Sequence, residues 1–226
     1  MAIEPKIYTF DDALPTRGEA TRDILIKTAM AIFARDGFDA ASTRTIADEA
    51  GVNQALISYH FRTKRGLYCA VFEHIVVMVK SILGSKMEIL SKLINDHSND
   101  ENAIMDALLA FCDTSIDMLI SDEMTDKAKL ILREQQTPTE AFDIVYNGFM
   151  LPVMNQLSVL VERLRPDLEG EKLKLHVTTM FTQVIALRAA RSTIIRFMGW
   201  DSFTPHEVQM LKNQLRENFN KLNTLD

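Results

Sequence analysis

The chain has 226 residues, of which 47% are hydrophobic and 25% charged, with a net charge of −6. That composition suits a globular protein with room for one large core or two small ones. No run reaches the roughly 18 uninterrupted apolar residues of a membrane span. Residues 1–15 lack the basic start and apolar stretch of a secretory signal. Cys69 and Cys112, the two cysteines, cannot build a disulfide framework. The expectation is a cytoplasmic protein with reduced thiols and no membrane partner. The acidic balance argues against a nucleic-acid binder until its distribution is considered. Residues 1–84 carry ten basic and ten acidic side chains, so the whole −6 falls on the remainder. Between Gln54 and Tyr68 stand three cations (Arg62, Lys64, Arg65) and no anion. A small basic face of this kind is enough for a module that touches a few phosphates.

Taken in chain order, residues 1–16 are polar and broken by Pro5 and Pro15, and read as an arm. From Arg17 onward the pattern is helical and the predicted fold class is all-α. Ile24, Thr28, Ala29, Ile32 and Phe33 form one face of a first helix, which Gly37 can end. Ile46, Ala47 and Ala50 face inward on a short helix that starts near Thr43. Gly51 supplies the positive φ of a tight turn, and Ile57 and Phe61 are the buried side of a third helix. Thr63 is a natural N-cap for the next, with Leu67, Val71 and Ile75 on one stripe. Beyond Gly84 longer helices are predicted near 86–96, 102–121, 125–136, 139–164, 171–199 and 204–223. Pro152 is expected to kink the fourth of these or to mark its true start.

Two short helices joined by Ala50-Gly51-Val52-Asn53 cannot lie antiparallel across so short a turn. They must cross steeply, and Ala47 is small where their backbones come close. This is a helix-turn-helix, whose second helix offers its outer face to a major groove.

Thr43, Ile46-Ala47, Ala50-Gly51-Val52, Tyr59-His60-Phe61 and Lys64 with Leu67 together resemble the DNA-binding domain of the tetracycline-repressor (TetR) family. Ala29, Ile32-Phe33 and Gly37-Phe38 upstream match it too. The resemblance implies a homodimer with two reading heads about 34–36 Å apart on a palindromic double-stranded DNA operator. It also implies a role for each matched position. Thr43 offers its hydroxyl to a phosphate, or serves as an N-cap, or both. Arg44 reads guanine or meets a phosphate. Gln54, Ala55 and Ser58 form the outer face of the reading helix, with Gln54 suited to adenine and Ala55 to a thymine methyl. Tyr59 and His60 clamp phosphate, the alternative for His60 being plain packing. Lys64 meets a phosphate at a helix start. Leu56, apolar where relatives are often small or polar, reads as half-buried, and Arg65 replaces a common acidic residue.

Farther on, Arg133-Glu134-Gln135, Pro138-Thr139, Ala141-Phe142, Leu187-Arg188, Thr193-Ile194, Arg196 and Met198-Gly199-Trp200 resemble the C-terminal domain of the CecR/CerR-type branch. That implies a ligand-responsive repressor without naming the small-molecule effector. The implied domains are an arm (1–16), a helix-turn-helix domain (17–63), a linking helix (64–84) and a sensing and dimerisation domain (85–226). Val177, Met180, Phe181, Val184, Ile185, Leu187, Ile194 and Ile195 cover more than one helix face. They serve either a dimer surface formed by the last two long helices or an intramolecular core. Phe111, Met118, Phe149, Met150 and Met154 are candidates to line a pocket. Arg133, Glu134, Gln183 and Arg188 are polar residues amid apolar helix, either pocket anchors or an ion-pair network. The five histidines are isolated, with no metal-ligand spacing, and no phosphate loop or nucleophile elbow is present. No cofactor and no enzymatic activity are expected. The rival readings are a helical binding or scaffold protein that no longer contacts DNA, and an all-helical enzyme.

Overall fold

In the computed structural model, which describes residues 16–223, the first helix begins where Thr16 supplies a cap. The Thr16 hydroxyl accepts from the Glu19 N–H at 3.3 Å, and the Glu19 carboxylate accepts from the Thr16 N–H at 2.8 Å, a reciprocal capping box. Residues 1–15, the bulk of the expected arm, lie outside the described part. Helix α1 (Arg17–Asp36) buries Leu25, Ile26, Ala29, Met30, Ile32 and Phe33. Ile24 belongs instead to the solvent side, at 47% exposure, because the buried i, i+3, i+4 run starts one residue later. Ser42, rather than Thr43, caps α2 (Thr43–Ala50), its hydroxyl accepting from the Thr45 N–H at 3.0 Å. Gly51 is left-handed (φ 67°, ψ 30°) and turns the chain toward α3 (Ala55–Phe61).

The linking helix does not end near Gly84. Helix α4 runs unbroken over Lys64–Asn95, 32 residues. A glycine inside a helix costs only about 1 kcal/mol relative to alanine, and the apolar stripe passes straight across it through Val79, Leu83 and Leu90, all buried. Thr63 caps the start, accepting from the Gly66 N–H. At the far end, Arg163 donates to the carbonyls of Leu93 and Ile94 in the last turn and of Ser98 just beyond it, at 2.9–3.1 Å, and so fixes the end of the helix.

Helices α5 (Glu101–Ile120) and α6 (Thr125–Gln136) follow, separated by a 3₁₀ turn at Asp122–Met124. Helix α7 (Glu140–Val145) passes through a π turn, Tyr146–Met150, into α8 (Leu151–Leu164). Pro152 lies just beyond that turn: its ring cannot tolerate a regular i−4 carbonyl, and the wider turn relieves the clash. Gly148, inside the same turn, lets α4 come close, since a Cβ there would stand 2.9 Å from Val76 Cγ1. The predicted helix over 171–199 is broken at Ala190 into α9 (Gly170–Ala189) and α10 (Arg191–Met198), and α11 (Pro205–Asn223) completes the fold. One buried apolar cluster runs from α1 through α4 into α9 and α11. Lys64–Asn95 and Glu140–Leu164 have the length and hydropathy of membrane spans. Half of the most apolar stretch of α4, and a third of the other, is buried in this cluster.

Gly66 permits a second close approach. A Cβ there would fall 2.2 Å from the Phe61 carbonyl oxygen, backbone against backbone. Gly66→Ala is therefore expected to lower the stability by about 1–3 kcal/mol, read as a reduced urea midpoint. An unchanged midpoint would mean that α3 and α4 do not meet this closely.

Candidate functional site

Three regions bring the candidate residues together: the reading head, the joint behind it, and a cavity beyond the joint. In the head, Ile57 and Phe61 anchor α3 in the core, while Gln54, Ala55, Ser58 and Tyr59 face solvent, Tyr59 at 80% exposure. Leu56 is half-buried, as expected. Gln54 Nε2 donates to Thr43 Oγ1 at 2.9 Å, so the first residues of the two helices hold each other. The side chain that caps α3 is Asn53, whose Oδ1 accepts from the Ala55 N–H at 2.8 Å. An asparagine just ahead of a short helix is a legible signal for this. His60 is half-buried between Tyr59 and Phe61, with ring centroids 4.9 and 5.9 Å away.

The cations are distributed differently from the linear count. Lys64 turns inward, donating to the carbonyls of Ala41 at 2.8 Å and Asp39 at 3.3 Å above the Phe38 ring, and so fixes the α1–α2 loop. Arg65 is paired bidentately with Glu140 of α7. Arg62 is exposed, at a positive φ of 66°. Arg44 is also exposed and 3.8 Å from Asp48, a loose pair worth about 0.3–0.5 kcal/mol.

The joint is where Arg133 and Glu134 belong. Arg133 Nη1 donates to the Phe33 carbonyl at 2.5 Å, closing the last turn of α1. Glu134 is 3% exposed and fully engaged. Its Oε1 accepts from the Tyr68 hydroxyl of α4 at 2.9 Å, and its Oε2 accepts from the Thr139 N–H and hydroxyl at 2.8 and 2.9 Å. Tyr68 also packs edge-on against Phe33, Phe38 and Phe72. Burial foremost, and then the Glu134 carboxylate, raises its phenol well above the ordinary tyrosine range. Hydrogen bonding from Arg65 brings the Glu140 carboxyl down to about 2.

The cavity, about 110 Å³, lies among α4, α5, α6, α8 and α9. Phe111, Met118, Phe149, Met150 and Arg188 line it, five of the nine residues expected there. Arg133 and Glu134 are in the joint, Gln183 pairs with Asn218, and Met154 packs into the core without reaching the cavity. Leu108, Cys112, Ser115, Leu119 and Gln135 also line it. The first four lie on the α5 stripe of Phe111 and Met118, three or four residues apart, so helical period points to them once those two are chosen. Burial pushes the Cys112 thiol up to about 12, leaving it an inert part of the wall.

On the outer side, Val177, Met180, Val184 and Leu187 are buried within the chain, and Phe181, Ile185, Ile194 and Ile195 half-buried. Of the two roles open to this set, dimer surface or intramolecular core, Val177, Met180, Val184 and Leu187 take the second. The exposed apolar groups of these helices, among the described residues, are others: Leu175 at 68%, Phe197 at 88%, Met198 and Met210.

A helix-turn-helix with an outward reading face, mounted on a helical body, defines a DNA-binding transcriptional regulator. Residues 25–71 match the family of bacterial regulatory proteins of the tetR type, and residues 104–222 match the C-terminal domain of the HTH-type transcriptional dual regulator CecR. The chain belongs to the TetR family, in the branch with a CecR-type C-terminal domain. It is 29% identical to the dual regulator CecR of Shigella flexneri, over 88% of this chain and 89% of that one. Among solved structures, AibR in complex with isovaleryl coenzyme A and operator DNA is similar, with a TM-score of 0.63 and 14% identity over 88% of this chain and 97% of that one. The fatty acid degradation regulator FadR of Bacillus halodurans gives 0.57 and 17%, over 87% and 93%. At such identities both matches speak for the fold.

Two expectations follow from the joint. In a double-mutant cycle of Tyr68→Phe with Glu134→Gln, measured by urea unfolding, the coupling energy should be about 1–3 kcal/mol; additive effects would show that the two do not interact. The Glu140 carboxyl is depressed, so its pairing with Arg65 stabilises the fold fully above the ordinary carboxylate value of 4.5 and is lost as pH falls through about 2. The stability gap between the protein and Glu140→Gln should therefore be constant above about pH 5 and narrow steadily below it. A gap that does not change with pH would remove the ion pair from the joint.

Proposed function

We propose that this protein is a homodimeric, ligand-responsive repressor, released from a palindromic DNA operator by a small molecule in the cytoplasm. The observation that carries this reading is the placement of Arg133 and Glu134 on α6 directly between Leu132 and Gln135, which line the cavity. One helix thus faces the cavity on one side and grips the reading head on the other.

In this reading residues 17–63 form the head, α4 carries it, and the rest senses and dimerises. Gln54, Ala55 and Ser58 read base edges, Thr43, Tyr59 and His60 clamp phosphates, and Arg44 adds a base or phosphate contact. Lys64 first orders the loop before α2 and sits beside the free N–H groups of the α4 start, where a phosphate is favoured. The outer faces of α9 and α11, with Leu175 and Met210, are the proposed dimer surface. A cavity of about 110 Å³ is smaller than the roughly 300–1,000 Å³ of ligand sites. An effector must therefore push its walls apart, and a displaced α6 pulls on Phe33 and Tyr68 together. The shift it can cause is bounded by its preference for the DNA-free form, about 1.4 kcal/mol for each factor of ten. AibR, solved with both a coenzyme A ester and operator DNA, is a relative in fold with this pairing of sites. The name dual regulator for the Shigella relative supports a second reading, activation at some promoters.

Selection of duplexes from a random pool by the purified protein should recover a palindrome. Gln54→Ala should lose about 1–3 kcal/mol of discrimination at one base position in each half-site. Should no duplex be retained even at low salt, the reading as a regulator falls and a binding or scaffold protein takes its place.

A further inference from the structure

Building on the proposed sensing role of the cavity, we propose that its ligand is an apolar monocarboxylic acid, held by a charge-assisted bond from the carboxylate to Arg188. The cavity is lined almost wholly by carbon, with Arg188 of α9 as the one cation among its described lining residues. Among the described residues, Arg188 Nη1 is fully buried with no hydrogen-bond acceptor, and no carboxylate comes within ion-pair reach of this guanidinium. Burial first, and then Arg191, disfavours its charge, while Asp122 and Asp126 act only from a distance. Asp126 is instead paired with Lys129, and Arg191 lies over the Phe203 ring at 4.8 Å. A buried donor left without an acceptor is costly, so this group calls for a partner.

Charge and shape narrow that partner. A guanidinium presents a planar fork that matches a carboxylate bidentately. One cation in an apolar enclosure balances one negative charge, whereas a phosphate monoester brings about −1.5 to −2. The lining extends from Met124, at the start of α6, to Gln135 near its end, about 16 Å at the rise of an α-helix. Arg191, one turn beyond Arg188, shares a surface pocket with Ser121 and Asp122, which puts Arg188 toward the Met124 end, and Gln135, against Met150, is at the end beside the joint. A ligand anchored at Arg188 would thus send its hydrocarbon body toward Glu134. Met118, Met124, Met150 and Met180 can re-pack around a chain that the unoccupied volume does not yet hold.

The test is calorimetric titration of the full chain with decanoate, 1-decanol and decyl phosphate, each below its micelle concentration, against the protein, Arg188→Gln and Arg188→Lys. Decanoate should bind the protein at least tenfold more tightly than decanol or decyl phosphate. Arg188→Gln should erase that preference while leaving decanol affinity unchanged, and Arg188→Lys should retain part of it. Equal binding of decanoate and decanol, tighter binding of decyl phosphate, or a preference that survives in Arg188→Gln would each overturn the assignment. Helicity by circular dichroism checks that the variants fold; if Arg188→Gln does not, Arg188→Lys decides, since loss of the fork should weaken decanoate and spare decanol. Duplex retention without any acid is measured separately. A protein that binds decanoate through Arg188 and retains no duplex keeps this site and loses the regulator reading.

Discussion

Helix α4 is the member on which the rest of the structure depends. Its first turn packs against α3, so closely that Gly66 admits no Cβ, and its last turn is held by Arg163 of α8. Between those ends it contributes Ile75, Val76, Val79 and Leu83 to the cavity wall. A rod clamped at one end and carrying a small domain at the other converts a slight change of tilt into a larger displacement of the head. The 32 residues span about 48 Å at 1.5 Å per residue. Continuity through Gly84 matters for this reason, since a break there would let the head move without reference to the body.

The joint gives the rod a preferred setting. Burying a carboxylate is costly unless its oxygens are satisfied, and Glu134 has three donors from two separate elements, the Tyr68 hydroxyl and both groups of Thr139. Such a carboxylate contributes geometry more than net stability, because only one arrangement of α4 and α6 satisfies it. Arg133, one residue earlier, adds a bond to the end of α1. The same economy governs the cations near the reading helix. Lys64 and Arg65 strengthen internal contacts, while Arg44 and Arg62 stay exposed. This accords with a chain whose net charge is negative.

How much could be read in advance differs sharply between the two halves. In the head the helix boundaries, the Gly51 turn, the inward pair Ile57 and Phe61 and the outward Gln54, Ala55, Ser58 and Tyr59 all follow from local pattern. Short elements joined by a tight turn leave few alternatives, and both the turn and the caps carry residue-specific chemistry. In the body, long apolar helices offer nearly the same stripe to a cavity, a core or a partner. Phe111 and Met118 reach the cavity, and Met154, with the same chemistry, does not.

The sequence by itself determined that the chain is helical, where its head turns, and which face of α3 is free. These are properties of neighbouring residues, set by backbone conformation and helical period. Tertiary structure decided that Arg133 and Glu134 join two domains while Arg188, beside a cavity, meets no acceptor for its Nη1 among the described residues. It also turned Lys64 inward and sent Val177, Met180, Val184 and Leu187 to the internal core. Each of those outcomes depends on which side chains from distant helices arrive within hydrogen-bond or packing distance, and no periodicity along one helix encodes its neighbour.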